Sequence, residues 1–101
     1  MLVGKYDFIE SKNFIIKDKK IYRIASAGLF ENPMKTTRNA GKYKIHVEHF
    51  DCAYPYSNYY LIDYENGKIH ELRNIHFSIL EELVELLKVK WKPDTSQRKG
   101  V

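Results

Sequence analysis

The sequence predicts an α+β fold: an antiparallel β-sheet of five or six strands with one C-terminal amphipathic helix packed on one face. Three observations carry that expectation. Residues 42–50 alternate, with Tyr43, Ile45, Val47 and His49 on one side and Lys42, Lys44, His46, Glu48 and Phe50 on the other, the period of a half-buried strand. Asn66-Gly67 interrupts two strand-like runs, which is hairpin chemistry. Ile79, Leu80, Leu83, Val84 and Leu87 then recur at helical spacing. A run of strands followed by a helix is the order of an α+β domain.

The chain has 101 residues, of which 44% are hydrophobic, enough for one core and typical of a globular protein. The expected organisation is a single domain over residues 1–92 and a flexible C-terminal tail over residues 93–101. In chain order, residues 6–10 and 14–17 read as short aromatic and β-branched strands around a Ser11-Lys12-Asn13 turn. Asp18-Lys19-Lys20 is a second polar break before a third strand at residues 21–26. Residues 26–41 hold Gly28, Asn32-Pro33 and Asn39-Ala40-Gly41, and are either a long loop or a single short helix capped by Asn32 with Pro33 at its first position. The strand at residues 42–50 follows.

For residues 59–65 and 68–74, a two-residue type I′ turn at Asn66-Gly67 sets Glu65 opposite Lys68, Leu61 opposite Leu72 and Tyr60 opposite Arg73. It leaves Ile62 opposite Glu71, the one poor match. Gly67→Val is expected to destabilise such a turn. The helix is expected over residues 76–88, opened by a Ser78/Glu81 capping box and ended before Pro93, with Glu81, Glu82 and Glu85 early and Lys88, Lys90 and Lys92 late, as the macrodipole prefers. Trp91 is expected to anchor the tail to the core.

Several function classes find no support in the residues. No stretch approaches the roughly 18 apolar residues of a membrane span. Residues 1–7 have neither the apolar region nor the cleavage site of a signal peptide. Cys52 is the sole cysteine, so no intramolecular disulfide forms, and a reducing, cytoplasmic location is expected. The glycines are too scattered for a phosphate loop. No cofactor and no metal are expected: His46 and His49 point to opposite faces of a strand, and four spaced ligands are missing. Cys52 reads as a small buried hydrophobe.

Charge and aromatic residues favour a binding surface. Residues 1–50 carry ten Lys/Arg against five Asp/Glu, residues 51–87 two against seven, and residues 88–101 five against one. Basic segments of this kind suit polyanions or acidic protein faces. Lys35, Arg38, Lys42 and Lys44 are expected to form one basic patch. Tyr54 and Tyr56, held around Pro55, are expected to be exposed aromatic anchors for an unpaired base or a protein partner. Tyr59 and Tyr60 are expected to pack inside the sheet.

Gly41-Lys42-Tyr43-Lys44-Ile45, Asn58-Tyr59-Tyr60-Leu61-Ile62-Asp63 and Phe77-Ser78-Ile79-Leu80-Glu81-Glu82-Leu83-Val84 look like the second half of an SH2 domain. That family ends on a similar Phe-Ser-x-Leu-x-Glu-Leu-Val helix entry. The resemblance covers under half the chain. Aligning the family's Phe-Leu-Val-Arg-x-Ser strand on Ile21-Tyr22-Arg23-Ile24-Ala25-Ser26 puts Ile24 at the arginine's place and Arg23 on the other face, so no phosphotyrosine site carries over.

The expected function is therefore a small non-enzymatic binding protein that engages a nucleic acid or a nucleoprotein complex through a basic, Tyr-rich surface. In size and style the chain looks like small phage or mobile-element inhibitors, anti-CRISPR proteins among them, which act inside a host cytoplasm. Two alternatives stand beside it: a small metal-free ribonuclease using His46 or His70, and a homodimeric adaptor or structural protein.

Overall fold

A computed structural model of the chain describes residues 1–90. The expected tail at residues 93–101 and Trp91 lie outside the described residues. The described part is mostly antiparallel β-structure with one C-terminal helix, as expected, but the strands form three sheets, not one. In order they are β1 (Leu2–Val3), β2 (Tyr6–Asp7), β3 (Ile9–Glu10), β4 (Phe14–Lys17), β5 (Lys20–Ala25), β6 (Gly28–Glu31), β7 (Arg38–Ala40), β8 (Tyr43–Phe50), β9 (Tyr56–Asp63) and β10 (Lys68–Ile75), followed by α1 (Leu80–Lys90). The β1–β2 hairpin stands alone, β3-β10-β9-β8-β7 form the main sheet, and β4-β5-β6 form a small meander.

The main sheet is covered on both faces. The pairing of β8, β9 and β10 puts Tyr43, Ile45, Tyr59, Leu61 and Leu72 on one face. There they pack with Ile79, Leu83, Val84 and Leu87 of the helical stripe and with Val3, Tyr6 and Phe8. The opposite face carries Tyr60, Ile62 and Ile69, which pack under Ile21, Phe14 and Ile16 of the meander and Met34. β9 is therefore buried on both sides, with Leu61 and Ile62 each 0% exposed. Its unbroken apolar run Tyr59-Tyr60-Leu61-Ile62 is what two-sided burial requires.

The structure corrects three local expectations. Residues 26–41 hold no helix: Gly28–Glu31 pairs with β5 and Arg38–Ala40 with β8. The β9–β10 register places Lys68 opposite Asp63 and Ile69 opposite Ile62, so the loop has four residues and the pairing is moved by two. That register replaces the Ile62–Glu71 mismatch with an apolar pair, and Asp63 closes the turn by accepting from the Asn66 amide and side chain at 3.2 and 2.8 Å. Gly67 still has φ +68°, so Gly67→Val remains strained. The Ser78/Glu81 capping box is not used: Glu81 pairs with Arg38, and the Tyr59 hydroxyl accepts from the Ile79 amide at 3.1 Å at the helix start.

A two-residue turn with both residues at positive φ does occur, at Asp18 (52°) and Lys19 (63°), where Lys17 pairs with Lys20. That is type I′ geometry, which twists with the strands but suits Asn and Gly, not Lys. Lys19→Gly is expected to raise stability by about 0.5–1 kcal/mol, read as a higher urea midpoint at unchanged slope.

Candidate functional site

The two layers on either side of Tyr60 do not close completely. Towards the far end of β8 and β9 they leave a cleft of about 400 Å³. Its floor comes from the main sheet. Glu48, Phe50, Tyr56, Asn58 and Tyr60 share one face by strand register, and Arg73 and Asn74 join them from β10. Its other wall is the meander side, with Phe14 and Arg23 on the face that also carries Ile16 and Ile21.

A bulge makes the β10 wall. Leu72 pairs with Tyr59 but Ile75 with Ser57, so two residues, Arg73 and Asn74, oppose Asn58. Asn74 takes φ 62°, a conformation that Asn tolerates, and its amide donates to Asn58 Oδ1 at 3.1 Å. The bulge re-aims the strand at the cleft.

The cleft combines cations, amides and ring faces. Phe50 and Tyr56, opposed across β8 and β9, stack at 4.8 Å and 18°. Phe14 meets Tyr60 edge to face at 5.9 Å. Tyr60 donates to Glu48 Oε1 at 2.8 Å. Burial first, and then that bond to a carboxylate, push its pKa up to about 12, so the hydroxyl stays a donor at neutral pH. Arg73 pairs with Glu71 at 2.8 Å and remains half exposed. Arg23 is exposed and makes no ion pair among the described residues.

The residues singled out in the sequence are dispersed. Tyr56 is in the cleft, and Tyr54 is 81% exposed on the loop before it. Lys44 shares the cleft's face of β8, with Nζ donating to Asn39 at 3.0 Å. Lys35 is exposed, and its carbonyl accepts from His46 Nδ1 at 2.7 Å, which brings it beside the same strand face. Arg38 is on the other face of the main sheet, opposite Ile45 and paired with Glu81. Lys42 lies 3.8 Å from the buried carboxylate of Asp63 and over the Tyr43 ring. The four basic residues thus do not form one patch. Tyr59 and Tyr60 are buried in the sheet, and Cys52, expected inside, is exposed with its thiol donating to the Tyr54 carbonyl. Arg23 and Arg73 were not singled out. Only their meeting across two sheets sets them apart from other surface arginines.

His46 and His70, the two histidines expected of a ribonuclease, do not converge. His46 pairs with Tyr60 on the cleft's face, whereas His70 pairs with Leu61 on the helix side. His49 Nδ1 lies 2.9 Å from Ser57 Oγ, also on the helix side. No three His, Cys, Asp or Glu side chains cluster as metal ligands among the described residues. No described helix is long and apolar enough to cross a membrane.

His70 is instead expected to make stability depend on pH. Its Nδ1 is buried without a hydrogen-bond partner, and burial holds its pKa below the ordinary 6.5. As pH falls below 6.5 the unfolded chain takes up the proton first, so stability contributed by the neutral form is lost on acidification. The urea midpoint is expected to drop over that window, and His70→Gln to flatten the drop.

No protein-family model, curated protein or solved structure matches this chain.

Proposed function

We propose that the protein is a non-enzymatic binding protein that holds an unpaired stretch of nucleic acid, free or within a nucleoprotein complex, in the cleft between its main sheet and its meander. The observation that carries this reading is the stacked Phe50–Tyr56 pair in the same cleft as Arg23 and Arg73. Ring faces accept any unpaired base, and arginines meet the phosphates between bases. Four asparagines, Asn13, Asn32, Asn58 and Asn74, line the same space, and an amide side chain carries both donors and acceptors for base edges. Lys44 and Lys35 extend the cationic track along β8. From Phe50 to Lys44 is about 20 Å of strand, on the scale of a few nucleotides.

A chain working this way acts by occlusion. As a small inhibitor of the anti-CRISPR type, it would cover a single strand that a nucleoprotein machine needs. For the alternative of a ribonuclease using His46 or His70, the two histidines lie on opposite faces of the sheet, so only one of them could serve a given site.

The test is fluorescence anisotropy with labelled single-stranded RNA, single-stranded DNA and duplexes over a range of salt. Single strands are expected to bind more tightly than duplexes, with affinity falling as salt rises. Equal binding of duplexes, or no binding at low salt, overturns the reading. Intact RNA on a gel after incubation in EDTA separates binding from cleavage.

A further inference from the structure

The meander ends in an edge that no described residue pairs with or covers. All four residues of β6, Gly28-Leu29-Phe30-Glu31, are exposed, with Leu29 at 46% and Phe30 at 53%. Ala25 and Gly28 flank the two-residue turn as a hydrogen-bonded pair, and alternation makes Arg23 and Phe30 the next such pair. The Asn32 amide donating to the Ile21 carbonyl at 2.8 Å continues that alternation. The N–H and C=O groups of Leu29 and Glu31 therefore point away from β5, toward solvent. Exposed edges are normally guarded by lysine, proline or a bulge, yet β6 has none of these within it.

We propose that β6 pairs antiparallel with β6 of a second copy, giving a two-fold homodimer with a continuous six-stranded sheet. Charge and hydrogen-bond parity select the register. The outward-pointing groups belong to Leu29 and Glu31, so these two must form the hydrogen-bonded pairs. Centring the axis on Glu31 sets two carboxylates face to face, and centring it on Leu29 leaves Glu31 opposite the Ala27 turn. Centring it on Phe30 pairs Leu29 with Glu31 of the second copy twice, and sets the two Phe30 rings against each other. Such a contact is isologous and closes on itself. It also lines up Arg23, Phe30 and their two symmetry mates across four adjacent strands. The two Arg23 positions, each beside a cleft, then lie about 14 Å apart. The dimer stands whether or not the clefts take nucleic acid.

Sedimentation velocity over about 5–300 μM protein tests it, in the weak-affinity range expected of a short edge. The expected result is a concentration-dependent dimer that persists at high salt. Phe30→Lys opposes two ammonium groups at the axis and is expected to weaken the dimer at least about tenfold. Leu29→Lys places its ammonium opposite Glu31 and is expected to leave the dimer intact. Both sites are exposed, and an unchanged melting temperature at a concentration where the parent is monomeric confirms folding of each variant. In a Cys52→Ser background, Phe30→Cys is expected to form an interchain disulfide on mild oxidation, because non-hydrogen-bonded partners sit about 4.5 Å apart at Cα, within disulfide reach. Leu29→Cys, facing Glu31, is expected to cross-link poorly. A monomer at every concentration, a dimer indifferent to Phe30→Lys, or equal cross-linking at the two positions overturns the proposal.

Discussion

Ile62→Ala is expected to lower the unfolding free energy by about 3 kcal/mol, as much as Leu61→Ala on the same strand. The two side chains are adjacent, point to opposite faces, and are both 0% exposed. Leu61 is sealed by the helix and Ile62 by the meander, and each truncation leaves a cavity that a sheet held on both sides cannot close. For a domain of this length the melting temperature is expected to fall by about 12–25 °C in each case. A single sheet with one helix on it would give a different pattern, a large loss at Leu61 and under about 0.5 kcal/mol at Ile62. Ile24→Ala, at a position 42% exposed on the outer face of the meander, serves as the small-effect control. Thermal and urea unfolding of the three variants decide between the two architectures.

The double reversal Arg23→Glu/Arg73→Glu is expected to cut single-strand affinity about a hundredfold at low salt, from about 1.5 kcal/mol for each charge-assisted contact. It should also make the salt dependence shallower by about 1.4 in the log–log slope, two phosphates' worth on a single strand. Tyr56→Ala acts on the other component. It is expected to weaken binding about tenfold, by removing one stacking face, with the slope unchanged. The split between slope and affinity distinguishes a phosphate contact from a stacked base. Lys42 is a poor probe of the same question. Its partner is the carboxylate of Asp63, only 3% exposed, so Lys42→Glu leaves two opposed negative charges and acts through stability before it acts through binding. An unchanged affinity and slope in the arginine double variant would remove the cleft as the binding site.

The candidate site was partly legible. Tyr56 could be picked out because proline constrains its loop, and Lys44 because alternation along β8 sets its face. Arg38 and Lys42 looked the same as Lys44 in the sequence, and their neutralisation by Glu81 and Asp63 depends on residues far along the chain. Arg23 and Arg73 are fifty residues apart. Their shared cleft exists only because the meander folds back over Tyr60 and a bulge turns Asn74 toward it.

Local chemistry alone settled the antiparallel class, the strands at β4, β5, β8, β9 and β10, the face each β8 residue takes, and the apolar stripe of α1. These follow from periods of 2 and 3.6 and from turn residues, all of which act within a few positions of the chain. The tertiary structure decided the rest. It determined that the strands divide into sheets of two, five and three, that β6 and β7 pair at all, and which register β9 and β10 adopt. Gly28–Glu31 and Arg38–Ala40 have no periodic signal of their own and become strands because a neighbouring edge offers hydrogen bonds. The β9–β10 register was set by matching Ile62 to Ile69 beneath the meander, a packing gain that outweighs the preference of Asn66-Gly67 for a two-residue turn. A local rule ranks conformations of a short segment, whereas burial on two faces is a property of segments that meet only in the folded chain.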